Sequence, residues 1–99
     1  EPARPLAERR APSSPLRDVA GMLRSLDYAA RTAARTSEFD PEPWLADARS
    51  AFLNGYGPTD AALLEAFELE KACYEVRYEA GNRPDWLWLP LAAVERLAA

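Results

Sequence analysis

Glu68, Lys71, Glu75, Tyr78, Glu79 and Asn82 recur at steps of three and four residues. On a helix they project from one side, with Tyr74 at its edge. Glu68–Lys71 and Lys71–Glu75 are favourable pairs. Glu75 and Glu79 are like charges four apart, which costs an isolated helix about 0.2–0.5 kcal/mol. Two readings of this strip stay open on periodicity. A run of charges is ordinarily a solvated helix face. The alternative is a polyol site: carboxylates accept from sugar hydroxyls, lysine and amide groups donate to them, and tyrosine adds a flat apolar surface. The interleaved tyrosines are what a solvated face explains least well.

The elements that would carry this strip are helices. Glu1–Ser14 holds Pro2, Pro5 and Pro12 among Arg4, Arg9 and Arg10 and reads as an extended lead-in, with Leu6 as its one apolar pin. Its arginines suit an anion or a solvated linker. Ser14-Pro15 opens a first helix to about Thr36, whose apolar stripe is Val19, Met22, Leu23, Leu26 and Ala30. Gly21 and Ser25 leave a shallow strip for a neighbouring backbone. By pattern, Asp18 offsets the helix dipole, Asp27 faces solvent, and Arg31 and Arg35 suit the C-terminal end. Asp40 caps a second helix from Pro41, anchored in the core by Trp44 and stopped at Asn54-Gly55. Thr59 caps the third and longest, which carries the polar strip. Leu63, Leu64, Phe67, Leu69, Ala72, Cys73 and Val76 cover more than one of its sides, which makes it the central helix. Gly81 stops it, Asn82-Arg83-Pro84 turns the chain, and Asp85 caps the next element. The run Trp86–Leu89 must meet an apolar surface, and Pro90 starts a last helix burying Leu91, Val94 and Leu97. The fold class is therefore all-α, about four helices in a single unit over residues 1–99.

Composition narrows the chemistry. The 99 residues are 48% hydrophobic and 28% charged, which is globular rather than disordered. A net charge of -4 argues against nucleic acid. The lone Cys73 cannot form an intrachain disulfide and reads as a small buried hydrophobe. The absence of histidine removes the commonest general base and metal ligand. No apolar run approaches a membrane span, and the composition suits a reducing, cytoplasmic setting. No phosphate-binding glycine loop, metal spacing or activated nucleophile is present. A first residue other than methionine suggests a longer parent chain.

Four segments resemble the C-terminal part of actinobacterial maltokinases, which have an aminoglycoside-phosphotransferase-like fold. They are Ser14–Ala30, Phe52–Tyr56, Glu68–Glu79 and Asn82–Leu91, nearly the whole chain. Similar C-terminal halves occur in related sugar and aminosugar kinases and in fusions to trehalose synthase. The resemblance implies the helical C-terminal subdomain of a kinase-like lobe that moves a phosphate from ATP to maltose, giving maltose 1-phosphate, with a glucosamine-type kinase as the alternative. ATP, Mg2+, the catalytic-loop aspartate and the metal-binding aspartate would belong to missing N-terminal and catalytic lobes of the same polypeptide, leaving the fragment inactive alone. Glu1-Pro2 would end the family's Asp-Phe-Glu-Gly-Glu-Pro stretch. The implied sugar-facing residues are Lys71, Tyr74, Glu75, Tyr78 and Glu79, with Asn82, Arg83 and Trp86 at the rim. Asp18 resembles the helix aspartate that braces the catalytic loop. No catalytic or metal ligand is expected within the fragment. The rival readings are a free-standing helical interaction module docking through Trp86, Trp88 and nearby leucines, and a sugar-binding module without catalysis.

Overall fold

A computed structural model describes residues 15–99. The lead-in reading, the Ser14 cap, the Leu6 pin and the placement of Glu1-Pro2 lie outside the described residues. Four helices follow in order, with no strand among the described residues: α1 (Pro15–Arg35), α2 (Pro41–Tyr56), α3 (Ala61–Asn82) and α4 (Trp88–Ala98). A single 3-10 turn, Pro84–Trp86, joins α3 to α4. The all-α expectation holds.

The helix starts follow local chemistry. Asp40 caps α2 by accepting from the Glu42 amide, ahead of Pro41 at the first helical position. Asp60, not Thr59, caps α3, accepting from the Leu63 amide. The α2 stop falls two residues later than Asn54-Gly55. The chain leaves at Gly57, whose φ of +112° is open only to glycine without strain, while its amide closes onto the Leu53 carbonyl. Gly81 does not end α3; the helix runs one residue further, and Arg83 donates its amide to the Glu79 carbonyl. Asp85 makes no side-chain cap, and α4 begins at Trp88. Pro90 therefore sits in its first turn, where a missing N–H costs nothing.

α3 packs on α1 along one side and on α4 along another, as its broad apolar surface implies. α2 lies on α1. Pairings Arg17–Glu70, Arg24–Glu75 and Tyr28–Glu79 ascend together in sequence, so α1 and α3 run parallel. Parallel neighbours need a crossing connection, and α2 provides it. Val19, Ala20, Leu23 and Leu64 form the apolar centre, with Leu26, Phe52, Leu53 and Phe67 packed around it.

Several expected core residues are elsewhere. Trp44 is exposed and meets Phe39 edge-on at 6.5 Å rather than anchoring the core. Met22, Leu63 and Leu91 are also exposed, and Cys73 is only partly buried. On α4 the starting point at Trp88 turns Leu89, Pro90 and Ala93 inward in place of Leu91. Nothing described lies within 4 Å of where a Gly21 side chain would begin, so the Gly21–Ser25 strip is open.

Candidate functional site

The inward face of α1 is only half apolar. Its buried positions are Val19, Ala20, Leu23, Arg24, Asp27 and Ala30. Two opposite charges thus occupy core positions, three residues apart on one face. Burying them costs several kcal/mol per ion unless each is paired and hydrogen-bonded. Arg24 donates through Nη1 to Asp27 at 2.7 Å and through Nε to Glu75 on α3 at 2.8 Å. Asp27 also accepts from Arg31 Nε at 2.6 Å, and Arg96 of α4 stands 3.7 Å away. Arg31 forks onto Glu42 of α2. Asp27 therefore does not face solvent; it is the point where three arginines from two helices converge.

α3 supplies the matching acids. Glu68, Glu75 and Glu79 are all buried, which overturns the solvated-face reading for these three. Glu68 takes a two-pronged bond from Arg49 of α2, at 2.6 and 2.9 Å. Glu75 meets Arg24. Glu79, only 1% exposed, accepts from Tyr28 at 2.8 Å and from Arg83 Nε and Nη2 at 2.8 and 2.7 Å.

These environments set the protonation states. Burial raises the Asp27 carboxyl, but Arg24 and Arg31 together outweigh it and hold the group below its ordinary value. Glu79 is held low chiefly by the Arg83 fork. Glu75 goes the other way: burial pushes it up, and Arg24 offsets that only in part. Burial and the bond to Glu79 push the Tyr28 phenol up, so it remains a donor. Among the described residues, Arg24 Nη2 and Arg17 Nε are buried without a hydrogen bond. Each belongs to a guanidinium over an aromatic ring, where the ring face attracts the cation. Arg24 lies 5.8 Å from the Tyr28 centre and Arg17 4.7 Å from that of Phe67.

Two surfaces result. One is a cleft of about 200 Å³ lined by Leu23, Leu26 and Leu45, with Arg24, Arg31, Arg49 and Arg96 facing Asp27, Glu42 and Glu68. Its charges answer one another, so none of its carboxylates is left as a general base. The other is the far end of α3. Glu79 stands about three helical turns beyond Glu68, roughly 16 Å along the axis at about 1.5 Å per residue. There Tyr78 and Asn82 of the strip reach the surface. Tyr78 is 48% exposed, and Asn82 is exposed and donates to the Tyr78 carbonyl. Lys71, about three turns before Asn82, lies 5.1 Å from the centre of the half-buried Tyr74 ring. The Arg83 guanidinium stacks on the half-buried Trp86 ring at 4.8 Å.

The predicted site residues thus divide. Tyr78, Asn82, Arg83 and Trp86 gather at the outer end of α3, Lys71 and Tyr74 pair about two to three turns earlier on the same helix, and Glu75 and Glu79 are buried with their carboxylates engaged. Asp18 is exposed on α1. Pattern reading missed Arg24, Asp27, Tyr28 and Arg49. The signal was present for the first two: Arg24, Asp27 and Arg31 fall at three- and four-residue steps on the side that also carries Ala20, Leu23 and Ala30. Among the described residues no group of three or more acidic or cysteine side chains is placed to hold a metal ion, and no helix is long and apolar enough to cross a membrane.

No protein-family model matches the chain. A glucosamine kinase of Mycolicibacterium smegmatis is 33% identical over 110 aligned positions, covering 97% of this chain. The chain spans 27% of that relative's length.

Proposed function

We propose that this chain is the acceptor-side helical segment of an ATP-dependent sugar kinase. One observation carries the reading: similarity to a glucosamine kinase extends over 97% of the chain rather than over one motif. The exposed end of α3 supports it, because it offers what a sugar ring requires. Asn82 and Arg83 present donors there and Tyr78 and Trp86 present aromatic rings, with Lys71 and Tyr74 further back along the same helix. Glu75 and Glu79 act from below as braces. Phosphoryl transfer is chiefly positioning and charge neutralisation. The ATP, Mg2+ and catalytic carboxylate it requires belong to the remaining lobes of the longer polypeptide, and Asp18, exposed on α1, braces the catalytic loop there. An aminosugar is the first acceptor, on the name of the relative; maltose is the second, on the resemblance of the four segments.

The test is ATP-dependent phosphorylation of glucosamine and maltose by the intact protein, with the 99-residue chain as control. Turnover of either sugar by the intact protein and of neither by the control is expected, and the preferred sugar names the kinase. Absence of turnover of any sugar by a well-folded intact protein overturns the reading. The helical docking module would then be the better account, with exposed Trp88 and Leu91 as its surface.

A further inference from the structure

The outer end of α3 is held by a residue on a different helix. Tyr28 of α1 donates at 2.8 Å to the same Glu79 oxygen, Oε2, that receives Arg83 Nη2 at 2.7 Å. Arg83 Nε takes the other oxygen at 2.8 Å. Two of the three guanidinium nitrogens are thereby fixed, in a fork that a lysine could not reproduce. Nη1 makes no hydrogen bond among the described residues, and the Arg83 side chain is 47% exposed. The Arg83 guanidinium carbon also lies over the Trp86 ring, 4.8 Å from its centre. The Tyr28 ring is itself half-buried and has the Arg24 guanidinium over it, and Arg24 is tied to Glu75 and Asp27. Tyr28 is therefore not a loose surface hydroxyl. It is built into the α1–α3 interface and points at a carboxylate that is 1% exposed.

We infer that Tyr28 is a positioning residue for ligand recognition: through Glu79 it fixes Arg83 and Trp86 as one unit that binds a sugar hydroxyl with the free Nη1 edge and the sugar's C–H face with the indole. This rests on the proposed sugar-kinase reading for its ligand, but the mechanical claim stands on the bond geometry. Glu79 is a brace, since a carboxylate this buried cannot also receive a hydroxyl from solvent-borne sugar. Tyr28 acts through Glu79 and Arg83 and touches neither the sugar nor the phosphate. Its loss should therefore change sugar affinity and leave nucleotide affinity alone.

The substitution is Tyr28→Phe, which keeps the ring and removes only the donor. In the intact protein it should raise the KM for the accepted sugar, glucosamine or maltose, by about 3- to 10-fold, the worth of one hydrogen bond. The KM for ATP and kcat should stay within about 2-fold. Arg83→Lys, which keeps the charge but loses the fork, should raise the sugar KM at least as much. A simple loss of stability would move both KM values or neither. The second readout is the side-chain Nε–H resonance of Arg83, which a carboxylate fork shifts and protects from solvent exchange. Protection in the wild type that is lost in Tyr28→Phe supports the device whatever the protein phosphorylates. Unchanged protection overturns the inference. If the wild type turns over sugar and Tyr28→Phe leaves its KM unchanged, the inference also fails while the kinase reading stands. If the wild type turns over no sugar, the kinase reading fails and the resonance alone decides whether Tyr28 fixes Arg83.

Discussion

Arg24→Met tests whether the buried charges hold the bundle together. Arg24 is 3% exposed, and methionine matches the volume of its stem without its head. The substitution leaves two carboxylates behind. Asp27 keeps Arg31 at 2.6 Å, so its loss is partial. Glu75, 9% exposed, loses the guanidinium that donates to it. Removing one partner of a buried pair costs about 3–5 kcal/mol, and the part-retained Asp27 network puts the expectation near the lower end, about 3 kcal/mol at pH 7. For a domain whose whole stability is about 5–15 kcal/mol this is a large share. With a urea dependence of about 1–1.5 kcal/mol per molar, the unfolding midpoint should fall by roughly 2 M or more. The pH dependence has a definite sign. Glu75 already has a raised carboxyl in the folded protein, and losing Arg24 raises it further. A folded state that binds the proton more tightly than the unfolded chain loses stability as pH rises through that window. The penalty of Arg24→Met should accordingly be smaller at pH 5 than at pH 7, and Arg24→Met/Glu75→Gln should flatten the difference. Asp27 and Glu79 set the opposite limb: both are held low, so their contribution is full above the ordinary carboxyl range and is lost as acid protonates them. A penalty under about 1 kcal/mol at pH 7, or one equal at pH 5 and pH 7, would refute the reasoning.

Further substitutions probe separate parts of the frame. Arg49→Ala strands the Glu68 carboxylate, whose side chain is 5% exposed, but Arg49 is itself 42% exposed and water can enter. The expected loss is about 1.5–3 kcal/mol by urea unfolding, partly recovered by Glu68→Gln in the same chain. Gly57→Ala places a side chain at φ +112° with no steric neighbour. Its cost is therefore backbone strain alone, about 1–3 kcal/mol in thermal unfolding. Gly55 lies inside the last turn of α2 with nothing near its side-chain position. Gly55→Ala should instead be neutral or stabilise by about 0.5 kcal/mol in the same assay.

The range of each interaction decides why some of this was legible and some was not. The α2 start was readable because Asp40 and Pro41 act on their immediate neighbours. The Gly55–Gly57 choice was not, because both glycines can take the required backbone and only the path into α3 selects one. Trp44 shows the limit of residue type. Tryptophan is usually covered, but α2 lies on α1 with no fully buried residue of its own, and Trp44 falls on its outer side. The polar strip was visible as a strip, and its meaning was not. Glu75 and Glu79 find their partners on α1, 51 residues earlier, and no local period can announce a pairing that distant.

The buried charges also answer a question that the apolar core leaves open, namely the register of two parallel helices. Val19, Ala20, Leu23 and Leu64 make a small core of mostly modest side chains, and such a surface tolerates a slide of one turn. The polar pairs do not. Arg24 and Tyr28 are one turn apart on α1, as Glu75 and Glu79 are on α3, and they match in order. Sliding α3 by one turn in one direction would set Arg24 against Glu79 and Tyr28 against Arg83, leaving Glu75 beside Ala20. Sliding it the other way would set Arg24 against Lys71, two like charges in the interior, and leave Glu79 without Tyr28. The first error strands Glu75, which is 9% exposed, and the second sets Lys71 against the buried Arg24 in place of its α3 carboxylate. The cost of such an error is several kcal/mol. Registry is the best-attested use of buried polar groups, and it explains why this interface places charge where leucines would pack more simply. Replacing Arg24 and Glu75 together by Met and Leu should therefore preserve or raise stability while loosening the register. The outcome to measure is a weakened Arg83 Nε–H protection in a chain that unfolds no earlier than the wild type; a fully retained protection would show that packing alone fixes the register.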